Sequence, residues 1–149
     1  MKKILFFLAL VGTLVSGADI LKLVQTLDRN DSKAFNTMIV TIEDANSARS
    51  DNNKTILMYA SWIGNTEAVH TLVEKGANVD AADSSNATAL HLAIWRDHTD
   101  IALYLLEHGA STKVMSLDGM TPSDIAILRS NTTVMEAIEK TKPKLKSLF

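Results

Sequence analysis

The sequence predicts an all-α solenoid of stacked helix-turn-helix units joined by β-turn tips. Three observations predict it. The first is a strict step of 33 residues: Thr55, Thr88 and Thr121 keep it, as do Ala60, Ala93 and Ala126, and Leu72, Leu105 and Ile138. The second is helical spacing inside each unit. Ala68, Val69, Leu72 and Val73 recur as one apolar stripe, and Ile101, Ala102, Leu105 and Leu106 repeat it one step later. The third is Gly76 and Gly109, placed where the second helix must end and a left-handed residue is needed. One such unit cannot bury its apolar face alone, whereas stacked units share a continuous core.

The elements follow in chain order. Lys2 and Lys3 open the chain, Ile4 to Val15 is apolar apart from Gly12 and Thr13, and small residues follow at Ser16, Gly17 and Ala18. That order reads as a secretory signal peptide over residues 1–18, cleaved after Ala18, which puts Ser16 and Ala18 in the two small-residue positions, with cleavage after Gly17 the alternative. A buried N-terminal helix is the alternative. The apolar run is short of the ~20 residues that span a bilayer. Export is therefore the expectation: to the periplasm if the source is bacterial, as the Met-Lys-Lys start suggests, and otherwise by secretion. Cleavage would remove two lysines and move the formal charge from −2 to −4.

The repeated domain is expected over residues 19–139, with units at 19–49, 50–82, 83–115 and 116–139. The first unit is degenerate. Asp19 to Leu27 reads as its first helix on the spacing of Leu21, Val24 and Leu27. Ser32 to Ile42 reads as its second on Phe35, Met38, Ile39 and Ile42. Residues 43–52 read as a polar connector. Thr66 and Thr99, each followed by an acid, occupy expected N-cap positions. The fourth unit reads as a cap, stopped by Pro143, and residues 140–149 form a basic tail with lysines at 140, 142, 144 and 146.

These residues resemble the ankyrin repeat. Thr88-Ala89-Leu90-His91-Leu92-Ala93 matches its T-P-L-H-x-A signature, and Thr55-Ile56-Leu57-Met58-Tyr59-Ala60 matches it more loosely. The third copy keeps Thr121, Pro122 and Ala126 but has Ser123 and Asp124 where Leu and His are usual. Gly76-Ala77 and Gly109-Ala110 match the end of the unit. The resemblance implies a protein-binding module that presents a concave face of turn tips and first helices. It also implies a structural role for His91, bonded to the neighbouring turn. Small exported bacterial ankyrin proteins, some linked to oxidative-stress defence, are similar in size.

Composition removes several chemistries. The chain has no cysteine, which excludes disulfides, thiol nucleophiles and zinc-thiolate sites. A net charge of −2 gives no reason to expect nucleic acid as a partner. No segment after the first is apolar enough to enter a membrane stably. No HExxH pair, phosphate loop or nucleophile elbow occurs, so no enzyme activity and no catalytic residue, metal or cofactor are expected. His98 and His108 fit helix ends better than ligand positions. Asn30, Asn53, Asn86 and Asn131 open Asn-x-Ser/Thr sequons. Asn53 and Asn86 stand at the turn position of Gly119, so turn chemistry accounts for them.

The expected partner is another protein, bound by a monomer. Trp62 and Trp95, the two tryptophans of the chain, are one step apart, and Leu128 continues their row. Ile63, Arg96 and Arg129 run beside it. Lys54, Leu117 and Met120 stand at the tips. Aromatic and arginine side chains dominate binding energetics, and this set suits an apolar segment bearing an acidic group. Packing over the first helices is the competing reading for the tryptophans. The function expected is that of a periplasmic adaptor or chaperone-like binder. The alternatives are support of a peroxide-detoxifying enzyme through haem handling, and a secreted effector or immunity-type binder.

Overall fold

A computed structural model describes residues 17–39 and 41–141. Within them eight of nine helices alternate between two layers, and no strand forms. The inner layer holds α1 (Gly17–Asp28), α4 (Ile56–Ile63), α6 (Ala89–Trp95) and α8 (Pro122–Leu128). The outer layer holds α2 (Ser32–Met38), α5 (Thr66–Glu74), α7 (Thr99–Glu107) and α9 (Thr132–Thr141). Each inner helix packs on the next inner helix, and each outer helix on the next outer one. The short α3 (Ile42–Ala45) leads into the first turn tip.

Small residues permit the close stacking. Ala60, Ala93 and Ala126 have no exposed surface. Beside them Leu57, Leu90, Ile94, Leu72, Leu105 and Ile101 are buried and join one core that runs from Leu23 to Ile138. Each fully buried side chain of this size contributes about 1.5–3 kcal/mol relative to exposure.

Every inner helix of the three regular units starts the same way. Thr55, Thr88 and Thr121 take extended backbone as N-caps. The residue three places on returns a bond to each cap N–H: Met58 Sδ at 3.4 Å, His91 Nδ1 at 3.2 Å and Asp124 Oδ2 at 2.8 Å. A thioether, an imidazole and a carboxylate thus do one job, closing a capping box. This explains how Asp124 can stand where the repeat signature has His.

The degenerate first unit differs from its sequence reading in three respects. Its second helix ends at Met38, not Ile42. Its first helix buries Ile20, Leu23 and Leu27, while Leu21 is 48% exposed; the apolar face is rotated because α1 meets both α2 and α4. The segment read as a polar connector contains α3, whose Ala45 is buried, and then pairs Ala48 with Thr55 in an isolated antiparallel bridge. The N-caps of the outer helices also lie one residue earlier than read. Asn65 caps α5 by accepting from Ala68 N at 3.0 Å, and His98 precedes α7. Thr66 instead donates its hydroxyl to Asp100 at 2.7 Å, and Thr99 accepts from Asn131 at 2.7 Å, so both tie neighbouring repeats together.

The signal segment, apart from Gly17 and Ala18 at the start of α1, and residues 142–149 of the basic tail lie outside the described residues. No helix among the described residues is long and apolar enough to cross a membrane.

Candidate functional site

The tips are built from tight turns that need left-handed backbone. Asn53 (φ 54°), Asn86 (φ 57°) and Gly119 (φ 77°) fill one equivalent position, as the sequon spacing implied. Neighbouring tips are strung together by backbone bonds, Ser84 N to Asn52 O at 2.9 Å and Leu117 N to Ser85 O at 2.8 Å. Asn86 adds a side-chain bond to Met115 O at 2.7 Å. The tips therefore form a fixed rim rather than separate loops.

His91 anchors that rim. Its Nδ1 accepts from Thr88 N, which leaves Nε2 protonated to donate to Val114 O at 3.1 Å. The ring is 2% exposed. Burial holds its pKa below the ordinary imidazole value, outweighing the backbone carbonyls that favour the charged form. A proton on Nδ1 would also face the Thr88 N–H. His91 is structural, in agreement with the resemblance.

Between rim and inner helices lies a pocket of about 200 Å³. Trp62, Leu92, Trp95 and Ile125 line it from the inner helices, and Ser85, Ser116, Asp118 and Met120 from the tips. The tryptophans are 39% and 41% exposed, so each indole is part packed and part available. The Arg96 guanidinium lies over the Trp62 ring, 4.7 Å from its centroid.

The other sequence-predicted residues separate. Trp62, Trp95 and Met120 line the pocket, and Arg96 stacks on the Trp62 ring. Leu128 (61% exposed) and Leu117 (76% exposed) extend the apolar surface beyond it. Arg129 forms an ion pair with Asp97, whose carboxylate it holds below the usual range, so the two arginines are not an equivalent pair. Ile63 is half-buried against the core. Lys54 reaches Asp83 at 3.9 Å across the rim. Ala87, one step after Lys54, is buried. Leu92 and Ile125 were missed, although the same 33-residue step from Tyr59 would have found both.

The histidines outside the rim are engaged locally. His98 Nε2 meets Trp62 O at 3.2 Å, and His108 Nδ1 meets Tyr104 O at 2.8 Å. They stand at opposite ends of α7. Among the described residues no cluster of His, Cys, Asp and Glu could hold a metal ion.

A family model described as ankyrin repeats, in three copies, matches residues 23–116, more than half of the chain. No curated protein matches the chain. Ankyrin repeats generally mediate protein–protein interaction and are typically non-enzymatic binding modules.

Proposed function

Since the chain belongs to the ankyrin-repeat family, we propose that it is an exported, monomeric adaptor or chaperone-like binder, periplasmic in a bacterium, that takes an apolar protein segment bearing an acidic group. The carrying observation is the pairing of two part-exposed tryptophans on adjacent inner helices over one pocket, with Arg96 stacked on the first of them. The repeat needs small, buried residues at Ala60 and Ala93 but makes no such demand at 62 and 95. The indoles supply large contact area at little entropic cost, and the stacked guanidinium offers a planar donor pair to a carboxylate. The rim is already ordered by its own hydrogen bonds, which lowers the cost of association.

The test is capture from periplasmic extract on the immobilised mature chain, repeated with Trp95→Ala and Arg96→Ala baits of confirmed fold. Proteins retained by the parent and lost on both variants support the groove. Retention unchanged by either substitution removes it.

A further inference from the structure

The row that holds the two tryptophans continues past the pocket. Trp62, Trp95 and Leu128 fill one repeat position at the C-terminal ends of α4, α6 and α8, and are 39%, 41% and 61% exposed. These helices pack in series, α4 on α6 and α6 on α8. Packed helices lie about 8–10 Å apart, so the row offers one contact about every 8–10 Å. That step selects the shape of a bound segment. A β-strand returns the same face every two residues, or about 6.6–6.8 Å, and turns its other face at the third. An α-helix returns its face about every 5.4 Å and is about 10–12 Å across. It is too wide to lie between the rim and the inner helices, where the pocket holds about 200 Å³. A polyproline-II chain returns the same face every three residues, or about 9.3 Å. Of the three conformations, this one keeps step with the repeats.

The chemistry of the row agrees with its spacing. Both indoles line the pocket, and neither indole N–H has a hydrogen-bond partner among the described residues. The rim hydroxyls, by contrast, are engaged: Ser85 Oγ donates to Asp83 at 2.6 Å and Ser116 Oγ to Met120 O at 3.2 Å. A polyproline-II backbone makes no internal hydrogen bonds, so its carbonyls are free to accept from donors set one repeat apart. Aromatic-lined grooves take such segments readily, because flat rings pack on proline. Charge is placed at two points. Arg96 stacks on Trp62, and Asp118 lines the pocket from the tip before α8. Neither forms an ion pair among the described residues. An acidic residue beside Trp62 and a basic one beside Asp118 complement both.

We propose that the groove takes a polyproline-II segment of a partner protein, with an apolar side chain at every third residue against Trp62, Trp95 and Leu128 and an acidic residue beside Arg96. This occupant presupposes the groove proposed above and names the shape of its ligand. About seven consecutive residues, at about 3.1 Å each, reach all three contacts. A segment already in that conformation loses little freedom on binding.

Trp62 and Trp95 are the two tryptophans of the chain, so their emission reports occupancy of the groove directly. Three synthetic nonapeptides without tryptophan are titrated into the full chain. The first has leucine at its second, fifth and eighth positions, proline after the first two leucines, glutamate at one end and lysine at the other. The second has leucine at alternate positions and no proline. The third has leucine at helical spacing in alanine, and both controls keep the charged ends. The first peptide should bind at least about tenfold more tightly than either control, and Trp95→Ala of confirmed fold should remove that preference. Arg96→Glu keeps both indoles and should weaken the first peptide about fivefold or more. Replacing the peptide's glutamate by lysine should recover that loss. Equal affinities for the three peptides, a preference for either control, or emission that no peptide changes would overturn the assignment. Failure of the groove itself shows separately, as retention from extract that Trp95→Ala and Arg96→Ala leave unchanged.

Discussion

The Arg96 guanidinium lies over the Trp62 ring, and His98, two residues on, meets the carbonyl of the same tryptophan at 3.2 Å. Trp62 is therefore held twice by the repeat that follows it, while Trp95 lines the same pocket without such a clamp from Arg129, which pairs with Asp97 instead. The two indoles are equivalent in register and different in use. An exposed cation–π contact contributes about 0.5–1 kcal/mol. Arg96→Ala should lower stability by no more than about 1 kcal/mol, read from the urea midpoint. Its effect on a captured partner should be larger, about 2 kcal/mol or more, if the guanidinium holds a carboxylate there.

His91 gives a pH prediction with a definite sign. Burial lowers its pKa in the folded state, so the unfolded chain binds the proton more readily. Its contribution is fully present above the ordinary value of about 6.5 and is lost as pH falls from there toward the lower folded value. Urea midpoints measured from about pH 7 to about pH 5 should fall, and the slope should be shallower in His91→Gln. At neutral pH His91→Ala should cost about 2–4 kcal/mol, because it strands the buried Thr88 N–H and removes the bond to the part-buried Val114 carbonyl.

Gly64, Asp97 and Ser130 share one repeat position and one left-handed conformation, with φ of 88°, 59° and 53°. The strain differs with the side chain. A Cβ at Gly64 would collide with the His98 ring. Gly64→Ala should therefore cost more than the ~1–2 kcal/mol of left-handed backbone alone, since the ring must leave Trp62. Ser130 is exposed and makes no such contact. Ser130→Gly should be neutral or stabilising, by up to about 1 kcal/mol. Thermal unfolding of the two variants checks both signs.

Much of this was legible in the sequence because stacking imposes a rigid register. Thr88, Ala93 and Gly109 each have one structural task, and the task recurs every 33 residues. The first unit was harder to read. Leu21 and Ile20 are adjacent and both apolar, and only the docking of α1 on both α2 and α4 decides that Ile20 is buried. The outer-helix caps were misplaced by one residue for a related reason. Thr66 and Asn65 are both good caps, and the choice is made by Asp100 of the next repeat, which takes the Thr66 hydroxyl. At the candidate site, register placed the tryptophans side by side. It could not show that Asp97 would take Arg129 while Arg96 turned onto Trp62, because those pairings depend on rotamers of long exposed side chains.

Ser61 is the point at which the repeat departs from its own rule. It stands one step before Ile94, which is fully buried, and two steps before Ile127, which is 60% exposed. The position therefore faces the following repeat, and at Ser61 it holds a hydroxyl where the next copies have a branched aliphatic chain. That hydroxyl has no hydrogen-bond partner among the described residues. An unsatisfied buried hydroxyl costs about 1–3 kcal/mol, and methyl occupies nearly the same volume. Ser61→Ala should leave the fold intact and raise stability by up to about 1–2 kcal/mol, seen as a higher urea midpoint at unchanged slope. Ser61→Ile should not help, because Ala60 and Ala93 stack closely there and an added branch forces overpacking that typically costs about 1–3 kcal/mol. A destabilised Ser61→Ala chain would mean that the hydroxyl is satisfied, and that the space between α4 and α6 holds a polar group which pairs with it.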